Sequence, residues 1–192
     1  MDRQELERRL CHYRSRYPEE GAYARRGCML LRSGNDCFRR DTPGLHITGS
    51  TWVINPARTA VLLMLHRKLG QWFQPGGHAD GDEDVLRVAL KECSEETGLP
   101  PERIRLVLPD IFDIDIHRIP ANRREAEHQH LDIRFLVEID DAMAIPGNDE
   151  SHELRWVPLS QVPVYNRERS IHRLLAKSRE WIVHEGRNRI RP

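Results

Sequence analysis

The stretch GHADGDEDVLRVALKECSEETGL, residues 77–99, decides how this chain is read. A Gly- and Asp-rich turn leads into a helical pattern over 82–97. Gly98 then supplies the residue that most often closes a helix, and Pro100 and Pro101 stand just beyond it. At 100° per residue, Leu86, Ala89, Leu90 and Cys93 share an arc, which predicts the buried side. Glu92, Glu95 and Glu96 fall together in a different arc, in the last turn, where the helix dipole is already negative. Each such like-charge neighbour costs a few tenths of a kcal/mol, roughly, on an exposed helix. A hard divalent cation would convert that repulsion into binding, because Mg²⁺ and Mn²⁺ take oxygen ligands and keep positions open for water and phosphate. Taken alone, the trio reads first as a solvated acidic face, so its surroundings decide.

Outward from this helix the pattern is strand-rich. Residues 48–54 are rich in β-formers, Asn55-Pro56 is a turn, and 59–66, with VLLML inside it, reads as a strand buried on both faces. Downstream, strands are expected at 104–108, 111–119, 131–139 and 154–159, followed by a closing helix over 167–184. This order has no regular βαβ repeat and predicts an α/β domain with a mixed sheet over 45–192. Upstream, Leu6, Leu10, Tyr13 and Tyr17 step by four, three and four, predicting an amphipathic helix over 2–17, with a second over 20–31. The connection SGNDCFRRDTPG follows. Residues 1–44 thus read as a helical appendage needing a surface to cover its apolar stripe, and that stripe is also compatible with a homodimer.

Composition narrows the function. The 192 residues carry 30 Lys+Arg and 30 Asp+Glu, so no global field favours a nucleic acid polymer or an anionic membrane. The longest apolar run, around 61–65, is far too short to span a bilayer. The opening MDRQELERRL lacks the apolar segment of a secretory leader, and a cytoplasmic location is expected. Cys11, Cys28, Cys37 and Cys93 show no metal or redox spacing and are expected as reduced thiols.

In register from Gly77, the stretch resembles the Nudix box, G-x5-E-x7-R-E-U-x-E-E-x-G-U, where U is a bulky apolar residue. Gly77, Glu83, Glu92, Glu95, Glu96, Gly98 and Leu99 match; Lys91 stands in the place of the Arg, and Cys93 fills an apolar slot. The resemblance implies a Nudix-like α/β/α sandwich with a mixed sheet. It also implies hydrolysis of a diphosphate linkage in a nucleoside diphosphate joined to another group, with Mg²⁺ or Mn²⁺. By position, Glu95 and Glu96 would be the core metal ligands, with Glu92 a ligand or the general base. Gly77 would offer its carbonyl, and Glu83 with Lys91 would orient the box. A later acidic ligand is expected from the loop GNDESHELRW, with Glu150 preferred to Glu153. Crowded by like charge yet close to cations, Glu92 has no pKa direction that the residues alone dictate. The downstream Pro, downstream Tyr and upstream L-L-T-x-R pattern that mark particular substrate types in this family are not matched, so the substrate stays generic. The rival reading is a Nudix-fold binding module without turnover.

A second constellation stands outside the box. Strand alternation places Asp113, Asp115 and His117 on one face of 111–119, and His128, His130, Asp132 and Arg134 on one face of 131–139 and its approach. If these strands pair, His117, His130 and Asp132 converge. Three readings compete: structural hydrogen bonding, contacts to substrate phosphate or sugar by His117, His130, Asp132 and Arg134, and a separate transition-metal site. Trp72 stacks on a base or closes the core.

Overall fold

β1 (Leu45–Ile54) is the strand on which the sheet is built: it runs parallel to β7 (His128–Glu138) along its whole length, and antiparallel to β2 (Ala60–His66) and β4 (Gly76–His78). The computed structural model describes residues 1–67, 69–121, 126–148 and 151–189. β3 (Gln71–Phe73) and β8 (Ser151–Pro158) flank β2, while β5 (Arg105–Leu106) and β6 (Asp113–Ile119) flank β7. The sheet is mixed, as expected. The two three-residue strands β3 and β4 were not legible as strands, because so short a segment shows no periodicity of its own.

Helices cover both faces. α3 (Val85–Thr97), α1 (Arg3–His12) and α2 (Pro18–Arg32) pack on the side of Ile47, Val53, Leu131 and Ile133. α5 (Arg169–Arg189) lays Ile171, Leu174 and Leu175 on Trp52, Leu136 and Phe112 on the other side; α4 (Val162–Tyr165) is one short turn before it. The appendage therefore shares a core with the sheet: Leu6, Leu10, Ala24 and Leu31 are buried with Ile47 and Leu131.

Four local expectations change. The first helix stops at His12 instead of running to 17, because Pro18 opens α2 and holds Tyr17 extended (ψ 111). Tyr13 then turns its hydroxyl to Glu20 Oε1 at 2.8 Å. The strand expected at 104–108 shrinks to β5, since a 3-10 turn at Pro101–Arg103 precedes it. The thiol reading fails at Cys11 and Cys28, which form a disulfide tying α1 to α2 across a Cα–Cα distance of 5.4 Å. Their pairing follows from how the two helices dock, which no sequence spacing encodes. Cys37 and Cys93 are free and buried, and burial pushes the Cys93 thiol up to about 12. Finally, the buried face of α3 is Val85, Val88, Ala89, Cys93, Glu96 and Thr97, rotated from the expected arc so that one of the three glutamates points inward.

That rotation follows from close packing on β1. A Cβ at Gly49 would lie 2.9 Å from the Val85 carbonyl oxygen and 3.1 Å from the Ala89 nitrogen, both backbone atoms that cannot swing aside. Gly49→Ala is expected to cost roughly 1–3 kcal/mol, read from the urea unfolding midpoint. A cost below about 0.5 kcal/mol, the range of an ordinary surface change, would show that strand and helix have room to separate.

Candidate active site

Asp84 caps α3 by accepting the Arg87 N–H at 2.9 Å, and Gly98 closes it in the left-handed conformation (φ 70) that its lack of a side chain permits. The glutamates thereby hang over the turn that carries β4. Glu96 is 6% exposed, and its Oε2 accepts the Gly76 N–H at 2.9 Å. Glu92 lies against Gly77 so closely that a Cβ there would fall 2.3 Å from Glu92 Oε2. Burial pushes the Glu92 carboxyl up; Lys91 pulls it back and Glu95 and Asp80 reinforce the rise. Glu95 is 54% exposed on its side chain and accepts from Lys91 Nζ at 3.0 Å. The trio is thus divided, with Glu92 and Glu96 facing the turn and Glu95 facing solvent.

Lys91 turns to Glu95, and at 3.6 Å to Glu92, rather than to Glu83. Glu83 instead meets Arg3 from α1 at 3.2 Å, so the appendage rather than the box helix holds this part of the turn. Around it, Arg40 grips Asp80 through two bonds of 2.6 Å, and the N-terminal amine reaches Asp84 at 2.6 Å. Glu150 lies outside the described residues. Glu153 is half-exposed on β8 and paired with Arg155.

The second constellation lies on the opposite face of the sheet, because alternate residues of β1, β4, β6 and β7 point there. Pairing β6 with β7 sets His117 opposite His130 and Asp115 opposite Asp132, and β1 adds His46 and Thr48 beside them. Asp132 is buried and accepts from Arg134 Nε at 2.7 Å, Ser50 Oγ at 2.8 Å, Thr48 Oγ1 at 3.1 Å and Gln74 Nε2 at 3.3 Å. Arg134, also buried, reaches on to Asp113 and Asp115 at 3.2 and 3.4 Å. Both residues are therefore absorbed in structural hydrogen bonding. His117 and His130 keep partial exposure, as does Trp72, whose ring stands edge-on to Tyr165 with the Arg155 guanidinium over it.

Two residues that strand patterns missed complete this face. His46 and His78 join His117, His128 and His130 in one set of ring contacts, with centroids between 4.7 and 5.3 Å apart. The signal for His46 was its alternation with Thr48 and Ser50, which becomes informative only once β1 is known to lie beside β7. Burial and the four other imidazoles push His130 down to about 2. From α5, Arg173 donates to Asp113, Asp115 and the Ile114 carbonyl, and Lys177 to Asp113 and Glu20.

Comparison with known proteins places this geometry. The model of the NUDIX domain matches residues 45–177. A "Probable DHNTP pyrophosphohydrolase" of Lactococcus lactis subsp. cremoris is 29% identical over 119 residues, covering 60% of this chain and 68% of that protein. An "RNA pyrophosphohydrolase" of Acidiphilium cryptum is 32% identical over 102 residues, covering 48% of this chain and 60% of that protein. The chain thus spans about two thirds or less of the length of these curated relatives. Among solved structures, a C. elegans Ap4A hydrolase binary complex superposes with a TM-score of 0.60 at 17% identity, over 72% of this chain and 98% of that one, a likeness of fold.

Proposed function

We propose that this chain, which belongs to the NUDIX domain family, is a hydrolase that cleaves a diphosphate linkage in a nucleoside diphosphate joined to another group, with Mg²⁺ or Mn²⁺ held by the box carboxylates. The observation that carries this reading is the pair Glu92 and Glu96, two sheltered carboxylates turned toward the Gly76-Gly77 backbone. An all-oxygen donor set of this kind suits a hard cation. Glu92 and Glu96 would hold the ion, with Glu95 joining them; its exposed pair with Lys91 is worth less than about 1 kcal/mol and is readily given up. When bound, such an ion screens the phosphate charges and makes water a better nucleophile.

The chain's own part is orientation and proton handling. The Gly76 N–H fixes the Glu96 carboxylate, and Gly77, lacking a side chain, lets Glu92 approach the turn. If Glu92 does not ligate the ion, its carboxyl, pushed up by burial, would instead be the base that takes the proton of the attacking water. Trp72 and His117, partly exposed at their respective edges, are the remaining candidates for substrate contact.

The test is incubation with Mg²⁺ and a panel of nucleotide sugars, nucleoside triphosphates and dinucleoside polyphosphates, following the phosphate products. Cleavage between phosphorus atoms is the expected result. Binding without turnover across the panel would favour the binding-module reading instead. Within the same assay, Gly77→Ala is expected to lower kcat by about 10²-fold, the effect of displacing a reacting group by an ångström. Its unfolding midpoint should stay near the wild-type value, since the atom displaced is the far end of a flexible side chain. Unchanged kcat would show that Glu92 need not lie where the structure puts it.

A further inference from the structure

Five of the ten histidines gather on the sheet face opposite α3, and three of them, His46, His78 and His130, bring a ring nitrogen each to within 4.8 Å of one another. They come from β1, β4 and β7, three strands hydrogen-bonded side by side, so the backbone ladder itself sets their spacing. We propose that His46, His78 and His130 are the ligands of a transition-metal site for a divalent ion of the zinc class, separate from the carboxylates of the box.

Four observations carry it. A tetrahedral zinc ion with Zn–N bonds of about 2.0–2.1 Å separates its ligand nitrogens by about 3.3 Å. Side chains within 4.8 Å therefore reach that arrangement by shifts of about an ångström, without moving the strands. His128 stands at the border with its Nε2 already 3.2 Å from His130 Nε2, close to the ligand separation itself. Its Nδ1 lies 2.8 Å from the Ala126 carbonyl oxygen, which can only accept, so in the neutral ring Nδ1 keeps the proton and Nε2 presents a lone pair inward. That is the usual outer-shell arrangement of a metal-binding histidine. Lastly, the pleat divides the two sites: Gly77 meets Glu92 on the α3 side, while the next residue, His78, points to the opposite face. Nitrogen donors suit zinc-class ions and oxygen donors suit magnesium, so the two sites select different metals. This inference stands on the histidines alone and survives failure of the hydrolase reading.

Untagged protein, stripped with a chelator and dialysed, is titrated with Zn²⁺ by calorimetry and with Co²⁺ by visible absorption, in excess Mg²⁺ to occupy oxygen sites. One equivalent is expected to bind, with the d–d spectrum of nitrogen coordination. His130→Gln and His78→Ala should each weaken it at least about 100-fold, the loss that outer-shell changes alone approach. Glu92→Gln and Glu96→Gln should leave it unchanged. His78 is only half-buried, so its variant tests the site even where His130→Gln folds poorly, and circular dichroism checks each fold. No uptake by the wild type, or uptake undiminished in the His78 and His130 variants, overturns the proposal.

Discussion

Glu96→Gln is expected to lower kcat for Mg²⁺-dependent diphosphate hydrolysis by roughly 10²–10⁴-fold, the range assigned to a positioned acid–base or charge-stabilising group. The exchange is nearly isosteric. The Gln carbonyl can still accept the Gly76 N–H that Glu96 Oε2 accepts now at 2.9 Å, so the turn and α3 stay in place. What disappears is one negative charge at a site 6% exposed. The loss should therefore fall on turnover and on the Mg²⁺ concentration needed for half activity, with the urea unfolding midpoint close to that of the wild type. A kcat within about threefold of wild type, well below the smallest effect expected of such a group, would remove Glu96 from the site.

The second large effect concerns stability and lies on the other face of the sheet. Arg173 donates to Asp113 Oδ2 and Oδ1 at 2.8 and 2.9 Å, to Asp115 Oδ1 at 3.1 Å and to the Ile114 carbonyl at 2.8 Å, all buried. Arg173→Met keeps the apolar stem and removes the charge, leaving two buried carboxylates with Arg134, Lys177 and the His117 ring to answer them. Breaking one side of a buried charge network costs about 3–5 kcal/mol, and urea unfolding should register it. A loss below about 1 kcal/mol, the ceiling for exposed ion pairs, would mean that water takes the place of the guanidinium.

The same network sets a pH dependence. Burial would push the Asp115 carboxyl up, but the His117 hydrogen bond and the charges of Arg134 and Arg173 outweigh it and hold Asp115 well below the ordinary carboxylate range. The unfolded chain then binds its proton at a higher pH than the folded chain does. The Asp115 contribution to stability is present above the ordinary carboxylate pKa and lost as pH falls below it toward the lowered value. Unfolding midpoints measured downward from neutral pH should show that decline, and Asp115→Asn should flatten it.

The stretch 77–99 was legible because its cues are local. Gly98 closes the helix through its own chemistry, and three glutamates at short helical spacing are visible without knowing what packs on them. The apolar strands and the closing helix were legible for the same reason, each from its own period. The rotation of α3 was not, because which arc is buried depends on Gly49 admitting the Val85 and Ala89 backbone, a contact between segments 36 to 40 residues apart in sequence.

The amino-acid sequence by itself determined the box, its carboxylates, the mixed α/β order and the helices before it, since hydrophobic period, capping and charge spacing act over a few residues. Tertiary structure alone decided that Glu96 turns inward and Glu92 lies against Gly77 while Glu95 faces solvent, that Glu83 answers to Arg3, and that Cys11 meets Cys28. It also decided that five histidines from four strands share one face. Strand partners and helix docking are set by burying the whole apolar surface at once, and that surface is the sum of segments no local window contains.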